Sequence, residues 1–358
     1  MALPKAVLHD HLDGSLRPQT VVDLAEEHGY RQLPTTDPDR LAAWFDQRRS
    51  GSLERYLESF RHTIALMQTT AALERVAYES IVDLAAEGVV YAETRFAPLL
   101  HTTGGLHPGD VIGAVAAGLR KAAEETGTVV GIIVDAIRTE PGSEEVARLA
   151  VAARDAGVVG FDLAGPEAGF PPDDHLAACL VAREGGLGLT IHAGEGAGPN
   201  SVWRAVARCG AARVGHGVRI VEDTVRAGGE IVALGPVAAM VRDRRIPLEV
   251  AVESNVGTGL YPDAAAHPLG ALRRAGFAVT INTDNRLMSR TGMAAEFATA
   301  AAHHGFGIEE LRAATEIAVL AGFAPWPERR RLLAEVIRPA YEAAGSPSSA
   351  GAGSGAPA

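Results

Sequence analysis

LAACLVAREGGLGLTIHAGE, residues 176–195, sets an Ala-rich amphipathic stretch ahead of a glycine break, a short apolar run and a polar end. The first part has the spacing of a helix, and the run 188–192 has the length and composition of a strand buried on both faces. The same grammar recurs from about residue 81 to 285, with further runs at 89–95, 129–137, 158–163, 213–216, 247–253 and 278–283. A run near the start, 6–9, brings the total to eight. Continuous apolar runs suit parallel strands covered on both sides, and the helical stretches between them suit crossovers. Eight such units predict an α/β fold, a (β/α)₈ TIM barrel, with a doubly wound open sheet as the alternative. Polar residues gather at the C-terminal ends of the runs, the face of a barrel that carries chemistry, and this favours the barrel.

Outward from this repeat, residues 17–70 contain no strand pattern. They read as a helical insertion after strand one. Within it, Tyr56, Leu57, Phe60, Ile64 and Met67 recur at helical spacing across 53–67, and either cap a pocket or make ordinary core contacts. The predicted organisation is one domain over residues 1–344. A Ser/Gly/Ala/Pro tail follows at 345–358, and its composition predicts disorder.

The chain has 358 residues and a formal net charge of −11. Its mean hydropathy is +0.07 and its isoelectric point about 5.6. Such a balance excludes a nucleic-acid polyanion as the expected partner, because that binding needs clustered Lys and Arg. No apolar run approaches the ~20 residues needed to span a bilayer. A strand starting near Ala6 leaves no room for a secretory leader, so a cytoplasmic protein is expected. Cys179 and Cys209 form no CxxC pair and are expected to be buried apolar residues. The partners expected are a small molecule and water, and the oligomeric state is not legible.

The strongest local signal is His9-Asp10-His11 at the end of the first run. Residues two apart on a strand share a face, so both imidazoles aim at one point. Strand five ends in His192-Ala193-Gly194-Glu195, strand six in Gly215-His216-Gly217 and strand eight in Thr283-Asp284-Asn285. His9, His11, His192 and Asp284 together suit a divalent ion with room left for a reactive water. Nitrogen-rich ligation favours zinc, one ion per subunit, although iron or manganese also fits. Taken singly, a strand-end His is as often a hydrogen-bonded structural residue, and Asp284 could cap a helix. Gly196 and Gly198 keep the loop after Glu195 compact, with Ser201 expected to cap the next helix. Of the lysines, Lys5 is expected just before the first strand and Lys121 in a helix, so neither offers the bridge that a two-metal hydrolase uses.

In order and spacing, HDHLDGS, YAETRFAP, FDLAGPE, IHAGE, VGHGVRIVED and INTDN resemble the adenosine deaminase family of the amidohydrolase superfamily. The bacterial branch is closest, through residues 254–259 and 282–288. The resemblance implies replacement of the 6-amino group of an adenine nucleoside by oxygen, with His9, His11, His192 and Asp284 as metal ligands. Glu195, His216 and Asp284 are then the catalytic residues. Glu195, neutral when substrate binds, protonates purine N1. His216 takes a proton from the attacking water or orients it, and Asp284 also carries a proton to the leaving ammonia. His11, Asp13, Gly165 and Asn285 face the substrate, with Asp13 near the ribose 5′-hydroxyl, the Gly165 backbone at N3 and Asn285 at N7.

Three positions depart from the family pattern. Asn285 stands where a second aspartate is common, yet its amide can donate to N7 without being protonated. Pro166 puts the loop after Gly165 in question. Glu253, read at the end of strand seven, either pairs with a helix cation or adds a carboxylate to the pocket rim and favours a modified or cationic purine. The rival activities are deamination of free adenine, aminofutalosine or another adenine compound, and a non-catalytic purine-binding paralogue. Asp13 favours a nucleoside, since adenine deaminases of the family tend to have Glu there.

Overall fold

The computed structural model describes residues 3–345, apart from the Glu54 side chain. The expected strands form, in chain order, as β1 (Lys5–His11), β2 (Val89–Phe96), β3 (Val129–Ile137), β4 (Val158–Ala164), β5 (Gly188–Ala193) and β6 (Arg213–His216). An outlying pair follows, β7 (Thr224–Ala227) and β8 (Glu230–Leu234), and then β9 (Leu248–Val250) and β10 (Val279–Ile281). The main sheet has eight strands in the order β1-β2-β3-β4-β5-β6-β9-β10, and its pairings are parallel. Asp10 and Asp284 bridge its two ends, with the His11 N–H donating to the Asp284 carbonyl at 2.8 Å and the Asp284 N–H to the His9 carbonyl at 2.9 Å. This closes the sheet into a (β/α)₈ barrel.

Covering by helices explains why the strands read as apolar runs. Val7, Phe161, Ile191 and Val214 are fully buried, since each strand has the barrel interior on one face and helices on the other. The insertion after β1 folds as helices Pro18–Glu27, Pro38–Phe45, Leu53–Glu58 and Phe60–Leu66, ahead of the crossover helix Thr70–Ala86. Asp37, Ser52 and Thr69 cap three of these, each accepting a backbone N–H of the first turn. At the opposite end of the barrel, Phe323 packs so tightly that a Cβ at Gly188 would lie 2.2 Å from its ring. The Arg213 guanidinium stacks on that ring at 3.6 Å.

Several expectations need correction. The run 247–253 is a strand only to Val250, and Val252–Gly257 is a short helix. The pair β7 and β8 was not expected as strands. Ser201 lies inside helix Pro199–Trp203, whose N-cap is Gly198, because the proline at the first helical position fixes the start earlier. Lys5 is the first residue of β1, and its ammonium donates to the Leu3 and Glu87 carbonyls. Cys179 and Cys209 are buried as expected. Among the described residues no helix is long and apolar enough to cross a membrane. The tail after Gly345 lies outside the described residues.

Candidate active site

Strand ends aim the site. His9 and His11 share the inward face of β1, while Asp10 between them points away and accepts from the Ser15 and Thr283 hydroxyls and the Arg286 guanidinium. His192 is the last residue but one of β5, and His216 ends β6. His216 and Asp284 have φ of 57° and 58°, a left-handed conformation that costs a non-glycine residue about 1–3 kcal/mol and recurs where a side chain must be aimed.

The imidazoles converge. His11 Nε2 lies 3.2 Å from His192 Nε2 and 3.4 Å from Asp284 Oδ1, and His9 Nε2 lies 3.3 Å from the same oxygen. One donor atom from each of His9, His192, His216 and Asp284 falls within 4.8 Å of the others. His9 Nε2 is buried with no hydrogen-bond partner. A buried imidazole nitrogen left open beside other nitrogen and carboxylate donors suits a divalent cation.

Behind three of the imidazoles stands a carboxylate. His9 Nδ1 is 3.0 Å from Glu249 Oε2, His192 Nδ1 is 2.9 Å from Asp162 Oδ2 and His11 Nδ1 is 3.5 Å from Asp135 Oδ2. Such partners fix the ring orientation and leave Nε2 for a metal. The carboxylates are themselves neutralised in the barrel core. Arg95 donates to Asp162 at 2.6 Å and to Glu249 at 2.8 Å, and Arg213 donates to Glu249 and to Glu93 at 2.6 Å each. Burial alone would raise the Glu249 carboxyl, but Arg95 and Arg213 hold it well below the usual range. Likewise Asp284, buried, is held low by His9, His216 and His11. None of Asp135, Asp162, Glu249 or Arg95 was singled out from the sequence. The signal was a charged residue inside an otherwise apolar strand run.

Glu195 sits in the loop beyond β5, with Oε1 buried and unpartnered and Oε2 3.6 Å from His216 Nε2. Burial, with the nearby Asp284 and Glu167 charges, pushes its carboxyl up to about 8. Glu167 holds the loop by accepting the Gly194, Glu195 and Ala197 N–H groups at 2.8, 2.9 and 3.0 Å. The question raised by Pro166 is thereby answered, since the turn at Gly165, with φ of 93°, delivers Glu167 under the Glu195 loop. Asp13 is also buried, and burial pushes its carboxyl up to about 7. Its Oδ1 and the Asn285 Oδ1 have no hydrogen-bond partner.

These groups form the polar floor of a cavity of about 230 Å³ that includes His11, Asp13, Gly165, His192, Glu195, His216, Asp284 and Asn285. Its apolar wall includes Leu53, Tyr56, Leu57, Phe60 and Ile64 from the insertion. Those residues therefore cap the pocket, whereas Met67 is buried in the core. Asp135 and Glu140 also line the cavity and were not anticipated.

Glu253 does not face this cavity. Strand alternation does not apply to it, because it lies in helix Val252–Gly257, and its carboxylate accepts the Thr299 hydroxyl at 3.1 Å. Glu253→Gln is accordingly expected to leave relative kcat/KM across a set of adenine nucleosides unchanged. A change in their ranking would return Glu253 to the recognition machinery.

The family model for adenosine deaminase matches residues 4–339. An adenosine deaminase of Mycobacterium tuberculosis is 51% identical over 347 residues, covering 95% of each chain. Among solved structures, the adenine deaminase of Arthrobacter aurescens superposes with a TM-score of 0.83 at 26% identity, covering 93% of this chain and 97% of that one. An amidohydrolase from Burkholderia ambifaria with bound Zn gives 0.80 at 25% identity, covering 95% and 91%.

Proposed function

The chain belongs to the adenosine deaminase family, and from that membership we propose that it hydrolyses adenosine and 2′-deoxyadenosine to the inosine products and ammonia, with zinc as its metal. The observation that carries this reading is the buried Glu195 carboxyl, its Oε1 without a hydrogen-bond partner, in one cavity with His11, His192, His216 and Asp284.

His9, His11, His192 and Asp284 are the residues that would hold the ion. Three imidazole nitrogens and one carboxylate are donors that suit zinc. The separations of 3.2, 3.3 and 3.4 Å among these groups support that set. The zinc of the Burkholderia amidohydrolase supports the choice of metal. A divalent ion supplies a water acidified to a pKa of about 7.

The chain's own groups do the rest. Addition of a water oxygen at C6 breaks the purine aromaticity and builds negative charge at N1, so a proton must arrive there. Glu195 in its acid form gives that proton. Asp284 receives one proton of the attacking water and passes it to the departing amine, which leaves as ammonia when the C6–N bond breaks. The second water proton returns to Glu195 as the C6 carbonyl forms. His216 orients the attacking oxygen. The Gly165 N–H faces N3, the Asn285 amide donates to N7, and Asp13 holds the ribose 5′-hydroxyl. The apolar wall from the insertion covers the faces of the base and excludes water.

The test is the absorbance change of deamination with adenosine, 2′-deoxyadenosine and adenine across a pH series. Adenosine or its 2′-deoxy form is expected to give the highest kcat/KM, and a higher value for adenine would sink the nucleoside reading. Because Glu195 acts as an acid and its proton is lost as pH rises through about 8, activity should fall on the alkaline side. A profile that stays flat well above that point would contradict its role.

A further inference from the structure

Behind His216 runs a chain of hydrogen bonds whose direction is set by its far end. The Leu269 backbone N–H donates to His267 Nδ1 at 3.1 Å. A backbone amide can only donate, so Nδ1 carries a lone pair and the His267 proton sits on Nε2. His267 Nε2 lies 3.1 Å from Asn255 Oδ1, which accepts it. The amide nitrogen of Asn255 is thereby turned to His216 Nδ1, 3.1 Å away, and it too can only donate. His216 Nδ1 must then be the acceptor, and the ring's one proton is on Nε2, which faces the cavity. His216, Asn255 and His267 are all buried, so no bulk water competes for these bonds. The Tyr261 ring packs edge-on against His267 with centroids 4.8 Å apart.

We propose that Asn255 and His267 are positioning residues, a one-way relay that fixes His216 as the Nε2–H tautomer. The catalytic consequence rests on the reading of the preceding section. A ring so fixed cannot take a proton at Nε2 and offers no lone pair there to a cation, although it stands among the ligand groups. It acts instead as a constant donor to the oxygen that adds at C6. Of the two roles open to His216 from sequence, the relay selects orientation over proton removal. It also accounts for His11 rather than His216 completing the ligand set.

The direct test is two-bond ¹H–¹⁵N correlation on zinc-loaded and zinc-free protein with ¹⁵N-labelled histidine, the His216 signal being the one missing from a His216→Asn variant. The expected pattern has the proton on Nε2 in both forms. A proton on Nδ1 would overturn the proposal, and this reading needs neither a relay variant nor activity. If no purine nucleoside is turned over, the deaminase reading fails while the tautomer still decides the relay. A second measurement separates positioning from mere structure. His267→Phe keeps the bulk and loses the donor, and should lower kcat by about 10–100-fold with little change in KM. His267→Gln keeps an N–H toward Asn255 Oδ1 and should restore most of that loss. A folded His267→Phe protein with wild-type kcat would contradict the relay.

Discussion

Glu195→Ala is expected to abolish deamination while metal content stays at the wild-type level. A positioned general acid contributes about 10²–10⁴-fold. Here the loss should fall at the upper end, because the Glu195 carboxyl is buried with Oε1 unpartnered and its proton is held to about pH 8. Glu195→Gln separates the two things a carboxyl does, since the amide can donate a hydrogen bond and cannot give up a proton. Its kcat should therefore stay close to that of the alanine variant, with KM less affected. Metal analysis on the same samples guards against an indirect effect, because Glu195 is not in the proposed ligand set. Substantial residual turnover in either variant would remove Glu195 from the role of N1 acid.

His9→Ala is expected to lose metal and activity together. His9 is fully buried, and its two nitrogens face Glu249 on one side and Asp284 on the other. Truncation removes a proposed ligand and also leaves Glu249 without one of its partners. The remaining Arg95 and Arg213 contacts keep that carboxylate paired, so the barrel should still fold. The same loss is expected for His11→Ala, whose Nε2 sits between His192 and Asp284. Circular dichroism and melting curves identify folded protein, and metal per chain is then counted directly. Zinc retained at full occupancy in a folded His9 variant would contradict its assignment.

Strands with both faces covered were legible because burial leaves an uninterrupted apolar run, and β3 and β6 have the bounds the sequence predicts. The strand-seven run was overextended for the same physical reason. Ala251 and Val252 are as buried as Leu248, and an apolar run alone does not separate a strand from a buried helical turn. The β7–β8 pair had a signal that went unread, namely Gly228-Gly229 between short segments with Val and Ile. Its strands are largely exposed, and a search for buried runs passes over them.

The candidate site divides in a similar way. Ligand types at strand ends can be read locally, as can a Glu three residues after His192. The carboxylates behind the imidazoles cannot, because Asp135, Asp162 and Glu249 come from different strands and meet the histidines only when the barrel closes. Asn255 and His267 belong to that class too, since only the structure shows that one end of the Asn255 amide faces His216 and the other faces His267.

The most direct test of metal-dependent nucleoside deamination follows ammonia release from adenosine as zinc is stripped by chelation and returned in counted amounts. Activity should vanish on stripping and rise in proportion to bound zinc, reaching a plateau at about one ion per chain. Turnover that persists in metal-free protein, or full zinc occupancy with no ammonia from adenosine, would contradict the account.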